Sequence, residues 1–252
     1  MAKMWCGIIS IFPEMFSGFL EHGIVHQAQK KELLHCEFWN PRSFAGNKHS
    51  TVDDRPYGGG PGMVMQARPL RLAIHAAKQQ APVGTKVVYL APDGKQLNTE
   101  LVRDLATWPG IIFVSGRYEG IDQRIIERDI DEVISIGDYV LTGGELPVMV
   151  VLDAVTRFIP GALGDEASNK EDAFTEENDG FLDCPHYTRP PELDGQTVPA
   201  VLLSGDHAAI HRWRRKQKIG RTWKLRPDLL QDNKMSQDDL QLLKEFQIES
   251  GL

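Results

Sequence analysis

The sequence predicts an α/β protein: a parallel-sheet domain followed by a small, mainly helical domain. Three observations predict it. Through residues 1–160, short runs of β-formers alternate with segments of helical periodicity, the rhythm that covers a parallel sheet with helices on both faces. Pro160–Gly180 breaks that rhythm with acidic composition, three glycines and no apolar period, as a linker does. Beyond it the spacing is helical. The expected organisation is therefore a sheet domain over 1–160, a flexible acidic linker over 161–180 and a helical domain over 181–252.

The elements follow in order. Met4–Phe12 is rich in β-formers and reads as a first buried strand rather than a signal peptide, since Pro13-Glu14 ends it and no small-residue cleavage site follows. Glu14–Lys30 sets Met15, Phe16, Phe19, Leu20 and Ile24 on one helical stripe, and Cys36–Trp39 is a short strand. Gln66–Gln80 carries Leu70, Ala73, Ile74 and Ala77 at helical spacing. Lys86–Ala91 is a strand that the Pro92-Asp93-Gly94 turn signal stops. Asn98 suits the N-cap of a helix containing Leu101, Val102 and Leu105. Gly110–Val114 and Glu132–Ile136 are strands flanking a short helix over Ile121–Arg128, and Glu145–Ile159 is apolar almost all round, hence deeply buried or in a subunit contact. In the last third, Asp206 precedes a helix with Ile210 and Trp213, and Ser236-x-x-Asp239 forms a capping box ahead of Leu240, Leu243 and Phe246.

Composition narrows the class. A chain of 252 residues buries roughly 75% of its unfolded surface, enough to fold without staples. Its three cysteines, Cys6, Cys36 and Cys184, lack C-x-x-C spacing and suggest reduced thiols in the cytoplasm. No apolar run approaches the ~18 residues of a membrane span. The net charge of −7 argues weakly against a nucleic-acid coat, but its distribution matters more. His207–Pro227 holds eight Lys or Arg and no acid, whereas Asp165–Asp179 holds seven acids and one lysine.

Four glycine-bearing loops are expected at strand C-terminal ends, where open α/β sheets bind ligands: Tyr89–Gly94, Ser115–Gly120, Gly137–Gly144 and Val52–Gly62. The richest stretch is Ser135–Pro147, in which a strand stops, a glycine-rich loop follows and an apolar helix opens at Glu145. None of the four is a G-x-x-x-x-G-K-[ST] loop or a G-x-G-x-x-G fingerprint, so a nucleoside-like ligand fits better than a triphosphate or dinucleotide. The basic segment His211–Lys218, with Arg221, Lys224 and Arg226, is either a solvated helix face or a phosphate-binding surface. Trp213 and Trp223 within it are either core anchors or stacking platforms. Arg157, near the end of an apolar helix, needs a partner, either Asp153 in a structural ion pair or a group in a site. Asp172, taken alone, is a solubilising charge. Histidine and cysteine spacings define no metal site, and no ligand set for a magnesium ion is identifiable.

Together these residues resemble one family, the bacterial tRNA (guanine-N1)-methyltransferases of the knotted SPOUT class. The words that carry the resemblance are Val52–Met63, Gly116–Asp122, Ser135–Pro147, Arg157–Gly161 and Leu182–Pro190, in the expected order across nearly the whole chain. The resemblance implies methyl transfer from S-adenosylmethionine to N1 of the guanosine directly 3′ of the anticodon, position 37 of tRNA. It implies a trefoil knot at the C-terminal end of the sheet domain, a departure from the usual un-knotted topology, and a homodimer with composite sites. As cofactor-binding positions it implies Tyr89, Leu90, Gly116, Glu119, Ile136, Gly137, Asp138, Tyr139, Val140, Leu141, Gly143 and Gly144. As catalytic residues it implies Asp172, a general base strengthened when the linker closes and excludes water, and Arg157, its electrostatic partner at O6. Asp53 and Asp183 lie near the tRNA in this reading, with Arg212, Arg214, Arg215, Lys216, Lys218 and Arg221 supplying the basic face. Ala173 departs from the family, where a serine commonly follows the general base. Two other readings compete: an RNA-binding protein without catalysis, which the retained Asp172 and Arg157 count against, and a dinucleotide-dependent oxidoreductase, which the missing fingerprint counts against.

Overall fold

A computed structural model describes residues 4–164, 172–231 and 235–251. The chain divides into two compact units, Met1–Glu166 and Ala167–Leu252. The first contains a parallel five-stranded sheet in the order β2-β1-β6-β5-β7. Its strands are β1 (Met4–Ile9), β2 (Leu34–Trp39), β5 (Lys86–Gln96), β6 (Gly110–Ser115) and β7 (Glu132–Ser135). A separate antiparallel hairpin joins β3 (Asp53–Asp54) to β4 (Val64–Met65).

Alternation along the strands builds two cores. Cys6 and Ile8 of β1, with Ile111 and Phe113 of β6, face α2 (Gly23–Lys30), α4 (Thr99–Thr107) and α6 (Glu145–Thr156). Trp5 and Ile9, with Ile112 and Val114, face the opposite side, under α3 (Ala67–Gln80) and α5 (Gln123–Asp129). Successive strand side chains point to opposite faces, so a strand covered on both faces is apolar throughout. Asn98 caps α4 as its sequence suggests, accepting from the Leu101 amide at 2.8 Å.

Three local expectations change. The Glu14–Lys30 stripe is divided into a 3-10 turn (Pro13–Phe16), α1 (Ser17–Glu21) and α2, with His22 extended between the helices. Periodicity misses the break because Phe16, Val25 and Ala28 still reach the same core. The Pro92–Gly94 turn does not end β5: Leu90 pairs with Ile134, the chain makes an excursion, and Lys95 pairs with Ile134 again. Gly94 permits this, since a Cβ there would lie 2.5 Å from the Ile134 nitrogen. Finally, Val52–Gly62 is not a loop of the main sheet. It belongs to the β3–β4 hairpin, whose far side donates from the Met65 amide to the Gly120 carbonyl at 3.0 Å.

In the second unit the short pair β8 (Glu192–Leu193) and β9 (Gln196–Thr197) precedes α7 (Ala200–Leu203) and the long α8 (His207–Leu225). The short α9 (Asp228–Gln231) and then α10 (Gln237–Glu249) complete it. Asp206 caps α8 through the Ala208 and Ala209 amides, both at 3.0 Å. Ser236 and Asp239 form the expected capping box on α10. Phe181, Ile219 and Leu242 make a small core between α8 and α10. Because that core is small, ion pairs across the two helices matter: Asp239, only 7% exposed, binds Arg215 bidentately at 2.8 and 2.9 Å.

The Arg215 guanidinium holds the Asp239 carboxyl below its ordinary value of 3.8. A depressed folded pKa contributes stability above the unfolded value, and that contribution disappears as pH falls through the folded one. Asp239→Asn, which keeps a capping oxygen but loses the charge, should therefore cost about 2 kcal/mol at pH 7. Thermal melts should show the gap between the two proteins closing as the pH is taken well below 3.8; a constant gap would mean that the charge is not the source.

Candidate active site

A cavity of about 300 Å³ lies at the C-terminal ends of the three adjacent strands β6, β5 and β7. Three segments wall it: Tyr89–Pro92, where β5 leaves its first paired stretch for the excursion, Gly116–Gly120 after β6, and residues 134–144 from the end of β7 onward. Of the cofactor positions expected from the sequence, Tyr89, Leu90, Gly116, Glu119, Ile136, Gly137, Tyr139, Val140, Leu141, Gly143 and Gly144 line this cavity. Asp138 does not. Arg117, Tyr118, Ser135 and Pro147 also line it; they lie in the Ser115–Gly120 and Ser135–Pro147 stretches that the sequence marks, though not among the individually expected cofactor positions.

The loops are fixed to one another by a buried carboxylate. Glu145, in the first turn of α6, has no solvent exposure. Its Oε1 accepts from the Ser10 hydroxyl at 2.7 Å, and its Oε2 accepts from Arg117 Nε at 2.8 Å. The same guanidinium donates to the Thr142 carbonyl at 3.3 Å and lies 4.8 Å from the centre of the Phe12 ring. The backbone adds a 2.8 Å bond from the Gly144 amide to the Gly116 carbonyl. That approach requires glycine, because a Cβ on Gly144 would meet the Ser115 Cα at 2.7 Å. The Ser10–Glu145–Arg117 contacts join residues far apart in the chain, and only the abrupt start of an apolar helix with an acid hints at them in the sequence.

The cavity's chemistry is distinctive. Burial, followed by the nearby charge of Asp93, pushes the Tyr89 phenol above its ordinary value, so it stays a neutral hydroxyl. Leu90, Ile136, Leu141 and Pro147 supply apolar wall. Among the described lining residues the one guanidinium, that of Arg117, is paired with Glu145, while the Glu119 carboxylate stands exposed. Such a site suits a flat, uncharged ring and a cationic group, not a polyphosphate.

The remaining candidates fall in different places. Arg157 ends α6, half-buried, in the first unit. Asp172 lies in the second unit, where its carbonyl accepts from the Thr175 hydroxyl at 2.8 Å. Asp53 is in β3 of the hairpin. Burial raises the Asp183 carboxyl, but the Cys184 amide, His186 and Lys218 together outweigh it and leave the group below its ordinary value. On α8, Arg212 pairs with Glu245, Arg215 with Asp239 and Asp179, Lys216 with Glu249, and Lys218 with Asn178 and Asp183. Arg221 is half-buried and Arg214 exposed. Among the described residues no group of three or more His, Cys, Asp or Glu is placed to hold a metal ion. None of the described helices is long and apolar enough to cross a membrane.

Comparison with known proteins identifies the chain's relatives. The family described as tRNA (Guanine-1)-methyltransferase TrmD matches residues 4–232. The chain belongs to this family. It is 56% identical over 243 residues to the tRNA (guanine-N(1)-)-methyltransferase of Vibrio vulnificus strain YJ016, covering 96% of each chain. It is 57% identical over 246 residues to the protein of the same name from Photorhabdus laumondii, covering 98% of this chain and 97% of that one. Membership makes the five-stranded α/β unit a SPOUT domain and the chain a methyltransferase, for which S-adenosylmethionine is the implied donor.

Glu145→Gln should leave the Arg117 guanidinium facing a neutral amide while 16% exposed. Removing one partner of a buried pair costs about 3 kcal/mol, which lowers the melting temperature by roughly 6–12 °C. Differential scanning calorimetry checks this, and Ser10→Ala, which leaves the ion pair intact, should cost only about 1 kcal/mol.

Proposed function

We propose that the chain transfers a methyl group from S-adenosylmethionine to N1 of the guanosine directly 3′ of the anticodon in tRNA, with Asp172 as general base. The observation that carries the reading is the three-loop cavity on a chain of this family. The donor is a zwitterion with a net positive charge. A wall of backbone, apolar side chains, a neutral Tyr89 and the Glu119 carboxylate suits it, and the neutralised Arg117 offers it no repulsion. Tyr89, Leu90, Gly116, Glu119, Ile136, Gly137, Tyr139, Val140, Leu141, Gly143 and Gly144 would hold it, with Asp138 beside them in the loop. Bound there, it supplies an electrophilic methyl group on a positively charged sulfur.

The chain's own residues then manage protons and charge. Guanine N1 bears a hydrogen, and its lone pair is committed to the ring. Asp172 accepts that proton, and Arg157 donates to O6, where negative charge gathers; a well-placed donor of this kind is worth ~3 kcal/mol in the transition state. The target base must leave its stack first, at a cost of a few kcal/mol. Phosphate contacts from the second unit, with Asp53 and Asp183 near the base, offset part of it. In this reading the three cavity loops form a trefoil knot; the Leu97 amide on the Ser135 carbonyl at 2.8 Å, and Arg117 bridged to Gly143, support their interlocking.

A homodimer with composite sites belongs to the same proposal. Beside the cavity, Val140 is 86% exposed and Tyr139 54%, and on α6 Leu146 and Val150 are 51% and 48% exposed. Large apolar side chains left exposed in this way are what a second subunit would cover. It would let the linker and second unit of one subunit meet the cavity of the other.

Purified protein mixed with methyl-labelled donor and tRNA transcripts tests the reading. Label should enter a transcript with guanosine 3′ of the anticodon and not its adenosine counterpart; equal entry into both would contradict the target. Asp172→Asn should lose at least about a hundredfold in turnover, the scale of general-base catalysis, while donor affinity is kept. Near-complete activity would return Asp172 to a surface charge. The affinity for tRNA should fall steeply with added salt, and a flat response would remove the phosphate contacts from the account.

A further inference from the structure

The second unit holds a groove of about 610 Å³ to which the methyl-transfer reading gives no ligand of its own, although it counts Arg214 of its lining in the basic face for tRNA. It runs between the Cys184–Arg189 segment and the facing surfaces of α7 and α8. Its character follows from how α8 spends its charges. Arg212, Arg215 and Lys216 recur at helical spacing and are taken up by Glu245, Asp239 and Glu249 of α10. Ile210, Trp213 and Arg214 occupy another face, and that face lines the groove.

We infer that this groove is a stacking site for an unpaired nucleobase of the bound RNA, with its phosphate held at the rim. The inference rests on the tRNA reading above and deepens it. Tyr187, 49% exposed, and Trp213 sit with ring centroids 6.3 Å apart and planes inclined at 55°. Both rings line the groove together with the apolar side chains of Leu202, Leu203 and Ile210. Arg189 and Arg214 flank them, and among the described residues neither forms an ion pair, unlike the cations on the opposite face. Aromatic faces joined to cations free of carboxylates are the elements that bind single-stranded nucleotides regardless of sequence. A protein partner would also value Tyr, Trp and Arg. The unpaired cations favour a polyanion.

The test uses the full-length protein, unmodified tRNA transcripts and a set of transcripts each lacking one unpaired base. Tyr187→Ala should weaken tRNA binding by roughly 5- to 150-fold, the range reported by removing one stacking ring, and leave donor affinity unchanged. Tyr187→Phe, which keeps the ring, should stay within about twofold of the parent. One base-lacking transcript should bind the parent as weakly as intact tRNA binds Tyr187→Ala, with no further loss when the two changes are combined. Arg214→Ala should lower the salt slope by about one. Undiminished tRNA binding by Tyr187→Ala overturns the inference. So does a matching loss of self-association on sedimentation, which would assign the groove to a second copy of the chain. If the parent protein binds no tRNA and transfers no methyl group, the underlying reading has failed and the stacking site falls with it. Intact methyl transfer with unaltered binding by the variants removes the stacking site alone.

Discussion

Everything at the candidate active site depends on one buried carboxylate. Glu145 is wholly enclosed, and an enclosed charge is tolerated only with its hydrogen bonds and counter-charge in place. Those partners come from far along the chain: Ser10 at the end of β1 and Arg117 in the loop after β6. The first turn of α6 adds the favourable end of the helix dipole. A charge that cannot be left unpaired ties β1, the β6 loop and the start of α6 together. These contacts join two of the cavity's walls, with the Gly144–Gly116 bond as the backbone counterpart.

Charge plays another part in the second unit. The chain is acidic overall, yet α8 reads as a basic block. The structure resolves the contrast by pairing much of that block with carboxylates of α10 and of the Asp179–Asp183 stretch. A small core is thereby joined by ion pairs, and the cations left over are fewer and more localised than a count along the sequence suggests. Arg214 is among those that remain exposed.

The sequence made the α/β class legible because two-sided burial leaves continuous apolar strands and one-sided burial leaves helical stripes. Caps at Asn98, Asp206 and Ser236 were legible for the same reason, since each is decided within four residues. Contacts decided at long range were not. Ser10 and Glu145 are 135 residues apart, and neither position carries a mark of the other. The return of β5 beyond Gly94 depends on the backbone of β7, and the β3–β4 hairpin depends on the loop after β6. Local turn chemistry describes neither. The cavity's glycines could be located from the sequence as places of close approach, but what they approach came from the fold. Arg157 and Asp172 gained roles only through family resemblance, since an arginine at a helix end and an acid in an acidic stretch have ordinary explanations.

If the Glu145 clamp holds the walls of the cavity, its loss must be felt by a donor bound there. Calorimetric titration of S-adenosylmethionine into the parent protein and into Glu145→Gln, below the melting temperature of both, tests it most directly. Saturable binding to the parent and binding weaker by roughly tenfold or more in the variant is the predicted result, because loosened loops must be ordered again on binding. Equal affinities would contradict it and reduce Glu145 to a stabilising residue with no hold on the site.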